Sequence, residues 1–350
     1  MSIERTQIKT SKSGDLRIET LRGVAIIAVL WAHATLWLNG IAEQQGLALQ
    51  GSYDVVETIK GILQPLRMPL FTVLSGWVYA VRPAATGQMH RFATGKFRRI
   101  VLPLFLVSTF TYFQFLFIND AYPVIRGAEP TPVAPEAFWA LWFFRFGHLW
   151  FLQALLFIFL CVAIIDRLGW MKTVPQWLFW LLLTALLQFA PIHWEFWSLA
   201  KVPTIMVFFF VGVGIHRFQE ELSEPRVVKA AWLFFIAGML LHLLWKFTPV
   251  SFPQWPHYLL VGALGPISLL SMNWISQPLV FIGKYSYVIY LYHGLAFEAH
   301  YLFDGLLAYA HYQTLWFALI IISGLFLPIF LDKTVSRIRY LRMPMLGKKP

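Results

Sequence analysis

The chain has 350 residues, 58% of them apolar and only 13% charged, with a formal charge of +11. Soluble globular domains carry about a quarter charged residues, so water is excluded as the main solvent of this fold. The single cysteine, Cys161, lies in an apolar run expected to be buried, which excludes an internal disulfide framework.

Stretches of about 20 mostly apolar residues, the length that crosses a bilayer, recur nearly end to end. Spans fall at roughly 20–39, 60–81, 100–119, 147–166, 175–192, 203–216, 230–247, 258–275, 279–299 and 313–331, about ten in all. Three of them are short, which leaves nine or eleven open. The expected fold is all-α: a polytopic transmembrane helical bundle of one domain, 19–332, between an N-terminal segment 1–18 and a basic tail 333–350.

Alternate connections differ in charge. One side holds Arg5, Lys9, Lys12, Arg17 and Arg22, then Arg82, Arg91, Lys96, Arg98 and Arg99, and finally the tail with Lys333, Arg337, Arg339, Arg342, Lys348 and Lys349. The other side holds little more than Arg126, Arg145, Lys201 and Lys246. The positive-inside rule places both termini in the cytoplasm. The positive balance is therefore a topology signal and a site for an anionic cytoplasmic ligand, with membrane lipid as the surrounding partner and no nucleic acid. The connection 120–146, rich in proline and aromatics, is expected to cap the outer mouth. Ala32-His33-Ala34 mimics a signal-peptide cleavage site, but the segment runs on apolar past it and is expected to be retained.

The first span, "ETLRGVAIIAVLWAHATLWLNG", opens on Arg22 and keeps His33 in its middle. Eleven helical residues turn through ~1100°, only ~20° beyond three turns, so the two side chains share a face about 16 Å apart along the axis. Glu19 lies three residues before Arg22, on the same side. Arg22 alone reads as a snorkelling anchor and His33 alone as a helix-packing group. A polar group at such depth nevertheless costs a few kcal/mol unless it is paired or lines a wet cavity.

Further polar groups follow along the chain. The second span carries Arg67, which needs a carboxylate, carbonyls or water, and then Ser75-Gly76 near its end. "GKFRRIVLP" sets Lys96, Arg98 and Arg99 at the edge of the third span. "GHLWFLQALL" opens the fourth with His148, Trp150 and Gln153. "GKYSYVIYLYHGLAFE" places Tyr287, Tyr290, His293 and Glu298 in the ninth. Trp150 and Tyr285 also fit an interfacial aromatic belt. No GxxxxGK[ST], HExxH, zinc spacing or GxSxG is present, so chemistry driven by a nucleotide or a metal is not expected.

Together these segments resemble the acyltransferase-3 family of integral-membrane O-acyltransferases. Glu19, Arg22 and His33 match that family's acidic residue, Arg or Lys, ten residues and His. "PLFTVLSGW", Lys96-Phe97-Arg98-Arg99 with Pro103, "LWFL" and "SYVIYLYH" match its later motifs in order along nearly the whole chain. There are two departures. Lys96 stands at the first position of the family's R-x-x-R pair, a point charge where a guanidinium would grip phosphate bidentately. In addition, no extracytoplasmic catalytic domain follows the last span in this sequence.

The resemblance implies transfer of an acyl group, usually acetyl, from acetyl-CoA as co-substrate to a hydroxyl of a glycan or glycolipid. On that reading Arg22, Lys96, Arg98, Arg99 and Ser75 hold the donor, and His33, with Arg22 and Glu19, is catalytic, as general base or transient acyl carrier. Arg67, Tyr290 or His293 would serve the oxyanion or pocket, and His148 and Trp150 the acceptor. A transporter or flippase without covalent chemistry is the competing class, and a scaffold with relic motifs a third. Oligomeric state is left open.

Overall fold

The computed structural model describes residues 15–44, 52–84, 89–117, 137–144, 147–190, 193–194, 196–298 and 313–349. Within them the chain is helical, with no strand beyond an isolated bridge between Phe144 and Phe196. The expected connection 120–146 lies mostly outside the described residues; its last part forms a short helix, Ala137–Phe143.

α1 spans Leu16–Gln44 and runs to the opposite end of the bundle from its start. Asp15 opens it: its carboxylate accepts from the Arg17 N–H at 2.9 Å, satisfying a first-turn donor. α2, Ser52–Val81, carries Pro65 and Pro69 inside it. A proline has no N–H and removes the bond to the carbonyl four residues back. Pro65 thereby frees the Gly61 carbonyl, which is taken instead by His242 Nε2 at 2.8 Å.

α3, Met89–Lys96, passes through a π-helical stretch, Phe97–Val101, into α4, Leu102–Phe117. The basic Arg98-Arg99 pair therefore sits on a widened helical turn, a feature found disproportionately at functional sites. Tyr287 donates its hydroxyl to the Arg99 carbonyl there.

After α5, Ala137–Phe143, come α6, Trp150–Arg167, α7, Val174–Leu187, and α8, Val202–Arg217. Gly76 of α2 and Gly212 of α8 make the α2–α8 crossing possible. A Cβ on either would run into the partner's backbone carbonyl, Phe209 O or Val73 O. The short α9, Gln219–Leu222, leads to α10, Pro225–Phe247, and α11, Trp255–Ser271.

The ninth expected span is not one helix. It breaks at Tyr285, whose φ of −100° and ψ of 1° end α12, Gln277–Lys284, before α13 begins at Ser286 and runs to Glu298. α12 lies against α1 through Gly23 and Gly283, each pressed on the other helix's backbone. α13 then runs beside the middle of α1, where His293 meets His33. The last elements are α14, Gln313–Val335, and α15, Arg339–Leu346.

Among the described residues five segments are long and apolar enough to cross a membrane: Leu16–Gly40, Trp150–Arg167, Leu199–Arg217, Pro225–Phe247 and Gln313–Val335. α10 and α14 turn Leu233, Phe234, Leu240, Leu315, Ile322 and Phe330 outward, which suits lipid and not water. Cys161, expected to be buried, is exposed on α6; it shares an outward face with Leu160 and Ile164, while Ile158, Phe159, Val162 and Ala163 of the same run pack inward, and outward in such a bundle is toward lipid.

The last described segment closes on the basic π-helical turn and on α14 at one end. The Gly347 carbonyl accepts from Arg98 Nε at 3.1 Å, and Lys348 pairs with Asp332 at 2.7 Å.

Candidate functional site

At the end where the positive charge gathers, a cleft of about 430 Å³ opens between α1, α2 and α3. Arg22, Arg82, Arg91, Lys96, Arg98 and Arg99 line it, against the carboxylates of Asp15 and Glu19. Glu19 and Arg22 form the expected ion pair at 2.8 Å, one helical turn apart on one face. The second Glu19 oxygen, Oε2, is buried without a partner among the described residues. Lys96 Nζ lies 3.0 Å from the centre of the Phe159 ring and 5.3 Å from that of Phe92. Burial, and then the neighbouring Arg99, push the Lys96 ammonium down to about 7. Such a cleft concentrates anions, and its guanidinium groups match phosphate oxygens.

About 16 Å along α1 from Arg22, three imidazoles meet. His33 of α1 lies beside His293 of α13, with ring centres 5.0 Å apart, and His148 completes the cluster at 4.3 Å from His293 and 6.0 Å from His33. His293 is fully buried. Its Nδ1 is 3.0 Å from the Ile289 carbonyl and 2.9 Å from the Tyr290 carbonyl. Carbonyls only accept, so Nδ1 carries the proton and Nε2 keeps the lone pair. That lone pair faces His33 Nδ1 at 3.1 Å, which must therefore be the donor. In neutral His33 the remaining nitrogen, Nε2, is then the basic atom. The backbone of α13 thus sets the tautomer of α1's histidine through one intervening ring.

His148 is held by Nε2 against the Leu291 carbonyl at 3.3 Å and by its own carbonyl, which accepts from the Tyr290 hydroxyl. Gly294 makes room for it: a Cβ there would come within 2.9 Å of His148 Cε1. The fourth-span histidine is thus part of the His33 centre rather than a separate contact at a distant mouth.

The other expected residues take varied places. Tyr290 is buried with its hydroxyl on the His148 backbone, so it braces the cluster. The Ser75 hydroxyl donates to Phe71 O of its own helix at 2.9 Å, and Ser75 is not among the residues lining the cleft. Trp150 packs, partly buried, beside Phe151. Arg67 makes no ion pair or hydrogen bond among the described residues, and its Nε is buried.

Sequence reasoning missed three features. Arg82 and Arg91 were visible as charges, yet nothing in their spacing marked them as cleft-lining. Asp166 of α6 grips Arg217 of α8 with two bonds of 2.7 and 2.6 Å and accepts from Tyr79 of α2 at 2.9 Å, a buried pair that ties three helices beside the cleft. Gln153 was noticed without a role; it accepts from Ser198 at 2.6 Å and donates to the Trp142 and Phe144 carbonyls, pinning α5 over the other end.

The three imidazoles also form the one group among the described residues with ring nitrogens close enough to hold a metal ion, all within 4.8 Å of one another. A tetrahedral zinc site needs nitrogens about 3.4 Å apart, from metal–nitrogen bonds of about 2.1 Å. An ion and the His33 proton would both need the His293 Nε2 lone pair, so they exclude each other.

Residues 15–333 match the family model described as an acyltransferase domain, acyltransferase-3. The chain belongs to the acyltransferase-3 family. It is accordingly a membrane acyltransferase, and the match takes in α1 with its Glu19, Arg22 and His33 and every other helix up to Lys333 of α14. No curated protein and no solved structure matches it.

Proposed function

We propose that this acyltransferase moves an acyl group, acetyl in the simplest case, from acyl-CoA to a hydroxyl of a sugar in a cell-surface glycan or glycolipid. The observation that carries the reading is one helix face. α1 joins a basic cleft at Arg22 to a half-buried imidazole at His33 whose basic nitrogen is oriented from behind.

The CoA phosphates sit in the cleft on Arg22, Lys96, Arg98 and Arg99, and the pantetheine arm runs inward beside α1. At the cluster, His33 Nε2 takes the proton of the acceptor hydroxyl while that oxygen bonds to the thioester carbonyl carbon. The carbon–sulfur bond then breaks, and the CoA thiolate leaves and recovers the proton from His33. The imidazolium formed midway is stabilised by the His293 lone pair. Transfer through an acyl-imidazole would use the same Nε2 atom. The charge asymmetry supports a cytoplasmic-facing cleft, on the side where acyl-CoA is made, and the membrane in this reading is a bacterial inner membrane.

The test is purified full-length protein in detergent with acetyl-CoA labelled in the acetyl group. Label should appear on acceptor glycan or, without acceptor, slowly as free acetate, and His33→Ala should stop both. Label that stays on CoA under every condition, with the protein folded, would falsify the proposal and favour a transporter.

A further inference from the structure

A second polar cluster lies at the other end of the bundle, where α2, α10 and α11 meet. His242 of α10 and His257 and Tyr258 of α11 pack together, with ring centres 5.2 Å apart for His242–His257 and for His257–Tyr258. Both histidines are fully buried.

The cluster is unfinished. Among the described residues His257 has no hydrogen-bond partner on either ring nitrogen, His242 none on Nδ1, Tyr258 none on its hydroxyl and Arg67 none on Nε. The Gln254 side chain approaches the Tyr258 hydroxyl without reaching hydrogen-bond geometry. Folded proteins leave few buried polar atoms unpaired, and four in one ring cluster, with Arg67 Nε a fifth within electrostatic reach, is costly inside a membrane protein.

The charge is unfinished too. Arg67 stands within electrostatic reach of both Tyr258 and His33. No carboxylate pairs with it among the described residues. Glu57, an acid on the same half of α2, is already held by Lys60 at 2.5 Å and Asn39 at 2.6 Å.

We propose that Arg67, Tyr258, His257 and His242 form a binding site for an oxyanion, carboxylate or phosphate, carried by the hydroxylated acceptor. This deepens the acyltransferase reading and rests on it. Arg67 gives the cation and Tyr258 a hydroxyl donor. His242, whose Nε2 proton goes to the Gly61 carbonyl freed by Pro65, presents Nδ1 as an acceptor for a hydroxyl of the ligand. His257 can do either. Because the Arg67 charge also acts on His33, an acceptor anchored on Arg67 would extend a neighbouring hydroxyl toward the reaction centre. The enzyme would thus select acidic or phosphorylated sugars over neutral ones.

The experiment follows thermal unfolding of the full-length protein in detergent with glucuronate, glucose 6-phosphate or glucose as probes, and with acetyl-CoA as a separate arm. An anionic probe should raise the midpoint saturably while glucose does not, and which of the two acts identifies the oxyanion. Arg67→Gln should abolish that shift. Tyr258→Phe, which removes one oxygen and decides the matter even if the arginine variant fails to fold, should raise half-saturation about tenfold or more. In Tyr258→Phe the acetyl-CoA shift should be unchanged. Equal shifts from glucose and the anions, no shift from any sugar, or full anion shifts in both variants overturn the proposal and leave a water-filled cluster. Loss of the acetyl-CoA shift in the wild-type protein would instead strike the donor assignment.

Discussion

His293 touches no part of the donor cleft, yet its replacement should slow the reaction. In the resting enzyme its Nε2 accepts from His33 Nδ1 at 3.1 Å. When His33 takes the acceptor proton, that bond becomes a charge-assisted one, stabilising by about 1.5–3 kcal/mol. At roughly 1.4 kcal/mol per decade, His293→Ala should lower kcat roughly 10- to 150-fold. The KM for acetyl-CoA should not change, because the cleft proposed for its phosphates lies about 16 Å away. His293→Gln, which restores an acceptor oxygen near the Nε2 position, should recover part of the loss; a merely structural role would not show that rescue. His33→Ala should lose the whole base contribution, about 10²–10⁴-fold. The double variant should be no worse than His33→Ala, since the two rings act as one unit. The assay is steady-state transfer of labelled acetyl in detergent, with each variant's unfolding midpoint checked against wild type. A His293→Ala enzyme with wild-type kcat, or a double variant whose losses multiply, would refute the dyad.

Arg22→Ala, and Lys96→Ala combined with Arg99→Ala, should raise the apparent KM for acetyl-CoA, each lost contact weakening binding by about 1.5–3 kcal/mol; dephospho-CoA thioesters should feel these changes less, and an altered dependence on acceptor instead would show that the cleft serves the other substrate. Because the Lys96 ammonium is held near 7, below its ordinary range, the cation is present below that pH and lost above it. KM for acetyl-CoA should therefore rise between pH 6 and 8, and Lys96→Arg should flatten the profile. Ala25, which its sequence position suggests for a donor-protected cysteine, is fully buried; Val78 lines the cleft and is exposed. A Val78→Cys thiol, in a background without Cys161, should react with maleimide and be protected by acetyl-CoA, whereas undiminished labelling would place the donor elsewhere. Chelators should leave turnover unchanged, while added zinc should inhibit by displacing the proton between His33 and His293; activation by zinc would assign the imidazoles to a metal.

Much of this protein is determined by local sequence. Lipid as solvent follows from apolar runs that need no partner to be recognised, and the basic end follows from the positions of lysines and arginines. The Glu19–Arg22 pair and the shared face of Arg22 and His33 follow from helical geometry alone, since 3.6 residues per turn relates residues within one element. Relations between elements have no such period. That His148 and His293 would close on His33 depended on where α6 and α13 pack. The break at Tyr285 and the close approach of α1 and α12 through Gly23 and Gly283 set that packing. A glycine that admits a neighbouring backbone carries no side chain to announce which backbone it admits. The same holds for Arg67. The sequence required that it have a partner, but which groups surround it, and that none among the described residues is an acid, was decided by the crossing of three helices far apart in the chain.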